Sequence, residues 1–142
     1  MFIINKVFKQ FWQSPSNRQK KNERSKAIMK SLHITPNKPE SKLIELLNKH
    51  YPKEYEFVGD GKVIIEGCNP DFINVNGKKY IIEVFGLYWH NNKNTKYNAT
   101  EKGRIELFAK YGYSTLVIWE KEFKDEAKLL IKIGEFHKGV LA

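Results

Sequence analysis

The sequence predicts an α/β fold in which helices flank a mixed central β-sheet, preceded by a basic helical arm. Short runs rich in β-branched and aromatic residues alternate with helical patterns, and an Asn76-Gly77 hairpin signal joins two of these runs. Hydrophobic residues make up 41% of the 142 positions, which is typical of a globular protein. A chain of this length has room for one domain and an appendage, so we expect an arm over 1–38 and a core over 39–142.

The core is predicted to open with a helix over 39–50. Leu43, Ile44 and Leu47 form its apolar stripe, and Glu40 precedes them by three, four and seven residues. Because these spacings place residues on one side of a helix, the Glu40 carboxylate is expected to point toward the core.

The rest of the core alternates strands and helices. The predicted β-runs are EYEFVG, KVIIEG, DFINV, KKYIIEVF and STLVIWE. The fourth run is apolar on both faces, which favours a central position in the sheet. A polar loop over 87–98 leads to a helix over 101–110, and a last helix over 124–136 closes the chain.

The positive charge is concentrated in the arm. Of the net charge of +9, residues 1–38 carry nine Lys or Arg against Glu23, whereas residues 39–142 carry sixteen against fifteen acids. A cationic extension on a near-neutral body favours a polyanionic partner such as double-stranded DNA, since each neutralised phosphate releases counterions. The candidate DNA-binding residues of the arm are Trp12, Arg18, Lys20, Lys21, Arg24 and Lys26.

Two other interpretations of the arm stay open. A solvated helix face that aids solubility fits the charge equally well. An acidic membrane surface fits less well, because the second predicted helix, from Pro15 to about Leu32, has no continuous apolar face.

The composition excludes several classes of protein. No apolar run approaches the roughly 20 residues that span a bilayer, and no secretory signal pattern opens the chain, so we expect a cytoplasmic protein. A single cysteine, Cys68, excludes an internal disulfide and any site built from several thiolates.

Four residues suggest a catalytic centre: Glu40, Asp71, Glu83 and His90. Taken singly, each has an ordinary explanation, such as a helix cap, a turn or core packing. Together they place a carboxylate from each arm of a hairpin beside one from the packed helix, with an imidazole a loop away. Such an oxygen-rich cluster suits Mg²⁺ or Mn²⁺ in phosphodiester hydrolysis, with the imidazole accepting a proton from water.

The length of the hairpin turn decides whether Glu83 belongs to this cluster. A regular two-residue turn at Asn76-Gly77 pairs Asp71 with Ile82 and leaves Glu83 on the other face of the sheet. A three-residue turn or a bulge instead brings Glu83 opposite Asp71. The sequence favours the second arrangement, in which Glu83 is a site residue.

From Met29 onward, about three quarters of the chain resembles the very short patch repair endonucleases and the EDxHD homing endonucleases of the PD-(D/E)xK nuclease superfamily. Four motifs in the order and spacing of those families carry the resemblance: Glu40-Ser41-Lys42-Leu43, Pro70-Asp71-Phe72, Gly86-Leu87-Tyr88-Trp89-His90, and the run from Tyr113 to Glu120. The resemblance implies a restriction endonuclease-like core and a metal-dependent DNA endonuclease.

The resemblance also assigns roles. Asp71 would bind the metal, His90 would act as general base, and Glu40 would support the metal-bound water. A backbone carbonyl at Val84 is the alternative to Glu83 as a ligand. Tyr88 and Trp89 match the aromatic pair that wedges between base pairs, although packing on the core remains the other interpretation.

Departures from the family pattern narrow the expected function. Leu87 and Lys121 stand at positions where the mismatch repair enzymes have zinc ligands, so no structural zinc is expected and a phage-type or homing-type enzyme fits better. Phe85 occupies the usual lysine position of the superfamily, which leaves its work to His90. The alternatives are a DNA-binding protein without catalysis and a nuclease selective for branched or nicked DNA.

The arm has a separate, short resemblance. Residues 11–18 are similar to the modular helices found beside homing endonuclease domains, which lie along DNA, and an unrelated basic helix is the alternative. The oligomeric state is left open by the sequence.

Overall fold

The computed structural model describes residues 20, 22–24, 27–28, 34–86 and 95–140. The helices are α1 (Lys38–His50), α2 (Glu101–Ala109) and α3 (Glu126–His137). The strands are β1 (Tyr55–Phe57), β2 (Phe72–Asn74), β3 (Tyr80–Phe85) and β4 (Ser114–Trp119), and two 3-10 helices span Tyr97–Ala99 and Glu120–Lys124.

Helix α1 begins within one residue of its predicted start, because Asn37 and Glu40 cap its first turn with two reciprocal hydrogen bonds. The Asn37 side chain accepts a hydrogen bond from the Glu40 N–H at 3.0 Å, and the Glu40 carboxylate accepts one from the Asn37 N–H at 3.0 Å. This reciprocal pair is a capping box, which satisfies backbone donors that a helix start leaves without partners. The buried stripe is Leu43, Leu46 and Leu47, so Leu46 replaces the predicted Ile44, which is half-buried.

The sheet is mixed, as predicted, and has four strands. Its order is β1-β2-β3-β4, with antiparallel pairing from β1 to β3 and parallel pairing between β3 and β4. The apolar strand β3 therefore lies inside the sheet, and five of its six residues are buried.

The two faces of the sheet pack against different helices. Phe72, Ile82 and Val84 point toward α1 and α3 and share one core cluster with their leucines and isoleucines. Ile73 and Ile81 point the other way, toward α2, where they meet Phe108. Because side chains alternate along a strand, each strand position is assigned to one face or the other.

One predicted strand is wrong. The run KVIIEG forms no strand, only an isolated bridge between Ile65 and Cys68. Glu66 and Gly67 have φ values of 50° and 78°, a left-handed conformation that a strand does not contain. The chain turns back on itself there, and the turn chemistry outweighs the β propensity of the preceding residues.

Little of the arm lies within the described residues. Lys20 and Arg24 are helical and exposed, whereas the predicted contacts Trp12, Arg18, Lys21 and Lys26 lie outside the described residues. The division at residue 38 stays a prediction. No helix within the described parts of the chain is long and apolar enough to cross a membrane.

Candidate active site

The β2–β3 hairpin brings Asp71 and Glu83 together. Phe72 pairs with Ile82 and Ile73 with Ile81, so the residue before β2, Asp71, stands across from Glu83. The pairing is therefore shifted by one residue from that of a regular two-residue turn. The longer turn is the one that the hairpin forms. Gly77, with a φ of 90°, supplies the left-handed turn position.

Asp71 is anchored at the end of β2. Its Oδ2 accepts a hydrogen bond from the Val84 N–H at 2.8 Å, and its backbone carbonyl accepts one from the Val58 N–H at 2.7 Å. The preceding loop is held by the Asn69 side-chain amide, which donates to the Val58 and Val63 carbonyls at 2.6 and 2.8 Å. A Cβ added at Gly59 would stand 2.6 Å from the Phe57 ring and 3.5 Å from Asp71 Oδ1, so the close approach of this ring beside the carboxylate requires glycine. These contacts fix the carboxylate before any ligand arrives.

Glu83 is a buried acid beside that carboxylate. Its side chain is 3% exposed, and within the described residues its Oε1 has no hydrogen-bond partner. Burial raises the pKa of Glu83 well above its usual range, and the Asp71 charge and a hydrogen bond with Asp71 raise it further. The nearby Arg104 acts in the opposite direction and lowers that pKa. The site therefore opposes a second negative charge, which a bound cation would relieve.

Glu40 has two roles: its side chain caps α1, and its charge interacts with that of Asp71. Burial raises the pKa of Glu40, the Asn37 backbone hydrogen bond lowers it, and the Asp71 charge raises it. Asp71 is therefore close enough to act on both other acids.

Glu40 and Glu83 approach the site from opposite faces of the sheet. Glu83 alternates with Ile82 and Val84, so it lies on the α2 side, whereas Glu40 belongs to α1 on the other side. The register brings Asp71 and Glu83 together, and Glu40 interacts with this pair through the charge of Asp71. Consistently, the described residues contain no group of three or more His, Cys, Asp or Glu arranged to hold a metal ion.

Several predicted site residues lie outside the described residues: His90, Tyr88 and Trp89. Of the remainder, Val84 is buried at 8% exposure and donates its N–H to Asp71. Phe85, for which the resemblance implied the lysine position of the superfamily, is fully buried and packs edge-on against Trp119 with ring centroids 5.3 Å apart. A lysine there would lie in the core rather than in the site.

Sequence reasoning missed Arg104 as a site residue. This α2 side chain lies over the Phe108 ring at 5.7 Å, and within the described chain its buried Nε has no hydrogen-bond partner. Its charge favours ionisation of Glu83, so it partly offsets the acidic pair. Helix α2 has no clear apolar stripe in the sequence, and hence no signal there indicated which of its cations faces the sheet.

The chain is similar in structure to the catalytic domain of the homing endonuclease I-Bth0305I. The two are 27% identical, with a TM-score of 0.55, and the match covers 75% of this chain and 100% of that domain. No protein-family model matches the sequence. No curated protein is significantly similar to it.

Proposed function

We propose that this protein is a metal-dependent DNA endonuclease of the phage or homing type that hydrolyses phosphodiester bonds in double-stranded DNA. The observation that carries the proposal is the Asp71–Glu83 pair, held in register at the end of two strands of a fold similar to a homing endonuclease catalytic domain. Perturbed acids of this kind are typical of functional sites, because a scaffold gains nothing from burying like charges together.

The donor set fits Mg²⁺ or Mn²⁺. Both ions prefer oxygen ligands, and the pair offers carboxylate oxygens of which one, Glu83 Oε1, is buried without a partner among the described residues. Asp71 and Glu83 would hold the ion, with the Val84 carbonyl as the alternative to Glu83. When bound, the ion stabilises the negative charge that develops on the phosphate during displacement.

Other residues of the chain have the remaining roles in catalysis and DNA binding. The Val84 N–H orients the Asp71 carboxylate, and Glu40 adds a third negative charge on the α1 side. We assign to His90 the removal of the proton from the attacking water, and to Tyr88 and Trp89 a wedge between base pairs. The basic arm supplies phosphate contacts. A cytoplasmic location belongs to the same proposal.

The rival function is DNA binding without catalysis. The acidic pair, in which Glu83 is buried and Asp71 half-buried, favours the enzyme, because DNA repels carboxylates and a protein that only binds has no use for them beside its ligand. Selectivity for branched or nicked DNA has no specific support among the described residues.

The test is cleavage of plasmid and of long phage DNA in the presence of Mg²⁺ or EDTA. Cleavage is expected in Mg²⁺ and not in EDTA. Asp71→Asn should abolish it, since the amide still accepts the Val84 N–H hydrogen bond but carries no charge for the ion. DNA binding in EDTA should be retained by this variant, because the phosphate contacts remain.

Asp60→Asn is the matched control. Asp60 lies in the turn after β1, where it pairs with Lys62 at 3.7 Å, and its substitution should leave cleavage unchanged. Cleavage by Asp71→Asn at the normal rate, or cleavage in EDTA, would contradict the proposed site. Tight DNA binding without cleavage under every metal condition would favour the rival.

A further inference from the structure

A groove with cationic walls lies beside the candidate active site. It runs between the first turns of α1 and the 3-10 helix Glu120–Lys124 and has a volume of about 710 Å³. Four lysines line it: Lys38, Lys42, Lys121 and Lys124. Pro39 and Phe123 also line it, so the groove combines ammonium groups with apolar surface.

The charges of this groove are not balanced. Glu45 and Glu120 also line it, so its four lysines leave an excess of two positive charges. Lys42 pairs with Glu126 at 3.7 Å, but Lys121 and Lys124 form no ion pair with any residue that the structure describes. An exposed, unpaired cationic surface of this kind attracts a polyanion.

Other lysines of the core are engaged with partners. Lys62 pairs with Glu56 at 3.2 Å, Lys110 with Glu66 at 3.8 Å, and Lys132 with Glu122 at 2.9 Å. The unpaired lysines of the groove are therefore more available to an external anion than these three.

The groove adjoins the acidic pair. Glu40, which feels the charge of Asp71, stands between the lining residues Pro39 and Ser41. On the other wall, Glu120 Oε2 lies 3.4 Å from the position of a Cβ added to Gly86, three residues after Glu83. The groove thus lies next to Glu40 and near the chain segment that follows Glu83.

We propose that this groove holds the sugar–phosphate backbone of the DNA strand on one side of the phosphate that is cleaved. The inference rests on the proposed function and adds the path of the strand. Lys38, Lys121 and Lys124 contact successive phosphates, while Phe123 packs against the sugars. Continuity with the acidic pair favours DNA over an acidic polypeptide, because a strand whose phosphate reaches Asp71 carries its neighbouring phosphates into the groove.

The test measures binding of a duplex of arbitrary sequence to the full chain in EDTA by fluorescence anisotropy across a range of salt concentrations. Each phosphate contact contributes about −0.9 to the slope of log K against log salt. The double substitution Lys121→Gln with Lys124→Gln should therefore flatten the slope by about 1.8. The double charge reversal to glutamate should weaken binding further at every salt concentration.

The matched control is Lys49→Gln with Lys138→Gln. Both residues are exposed and lie at the C-terminal ends of α1 and α3, and neither lines the groove. This variant removes the same amount of charge, so an equal flattening in the control would show a general charge effect and overturn the proposal. Thermal unfolding by circular dichroism checks that both variants keep the fold.

The failure of this inference and the failure of the proposed function give different results. If the protein cleaves DNA but the Lys121/Lys124 variant has an unchanged salt slope, the proposed role of the groove is overturned and the proposed nuclease function stands. If the Lys121/Lys124 variant has a flattened salt slope but the protein never cleaves DNA, the proposed role of the groove is supported and the proposed nuclease function is overturned. Binding of polyglutamate that depends on the same two lysines, with unchanged DNA binding, would assign the groove to an acidic polypeptide and also overturn the proposal.

Discussion

At the scale of single residues, Glu83 is the side chain that stability alone does not explain. A carboxyl group buried beside Asp71 with one oxygen unpartnered among the described residues costs free energy unless it stays protonated. Arg104 offsets only part of this cost. Such a conflict between burial and charge is expected at a functional site, where a bound cation supplies the missing compensation.

Glu83 should make the stability of the metal-free protein depend on pH. Because the pKa of Glu83 is higher in the folded state than the ordinary 4.5, the folded state binds more protons over the range between the two values. Stability is therefore lost as the pH rises above about 4.5. Glu83→Gln removes this loss, so at mildly alkaline pH in EDTA its melting temperature should exceed that of the original protein, with about 4 °C for each kcal/mol recovered.

The melting curves of the two proteins should converge as the pH is lowered toward 4.5. Mg²⁺ should raise the melting temperature of the original protein and leave Glu83→Gln nearly unchanged, since ligand binding to the folded state stabilises it. Glu135→Gln, at an exposed position of α3, is the control. A melting temperature for Glu83→Gln that falls below that of the original protein as the pH rises above about 4.5 would show that the ionised carboxylate is stabilising and would remove the argument.

At the scale of elements, the start of α1 combines two roles in one residue. The Glu40 carboxylate accepts the Asn37 N–H hydrogen bond of the capping box, and the same carboxylate interacts with the Asp71 charge. The cap fixes the first turn of α1, and the first turn forms one wall of the lysine-lined groove. The two roles of Glu40 can be separated because only one of them requires a charge.

Glu40→Gln should separate the cap from the catalytic role. The glutamine side chain still accepts the Asn37 hydrogen bond, so the free energy of unfolding should change by less than about 0.5 kcal/mol. Asn37→Ala removes the cap itself and should cost about 1 kcal/mol. Denaturant unfolding measures both values, and DNA cleavage is measured on the same samples.

Reduced cleavage in Glu40→Gln, with normal cleavage in Asn37→Ala once both are folded, would assign the charge of Glu40 to catalysis. The opposite pattern, in which cleavage falls in Asn37→Ala and is unchanged in Glu40→Gln, would make Glu40 a cap partner only.

At the scale of the whole molecule, the distribution of charge divides the chain. The first 38 residues carry nine of the 25 cationic side chains, and within the near-neutral remainder Lys121 and Lys124 of the groove form no ion pair with a described residue. We expect the arm and the groove to bind separate phosphates of the same duplex, so that their effects on the salt slope add.

Deletion of residues 1–36 should flatten the salt dependence of DNA binding by about 0.9 for each phosphate that the arm neutralises. The deletion leaves Asn37 in place as the α1 cap. Binding to unrelated sequences should weaken equally, because phosphate contacts position a protein without reading bases. An unchanged slope, measured by the same anisotropy titration, would show that the arm binds something else.

Most elements and their order follow from the sequence alone. The bounds of α1, β3 and β4 follow from the capping residues around Pro39 and from apolar patterns, because the signals that start a helix or form a buried strand are local. The central position of β3 and the mixed sheet follow in the same way. The order and spacing of the motifs also indicate Asp71 and Glu83 as site residues.

Tertiary packing, and not local sequence, decides which side chains meet. A shift of one residue at the Asn76-Gly77 turn moves Glu83 from one face of the sheet to the other, and turns of both lengths are compatible with the local sequence. The longer turn pairs Phe72 with Ile82 on the α1 side and Ile73 with Ile81 on the α2 side, so each pair packs into one core cluster. The same long-range packing brings Arg104 near Glu83, and no neighbour along the chain carries that information.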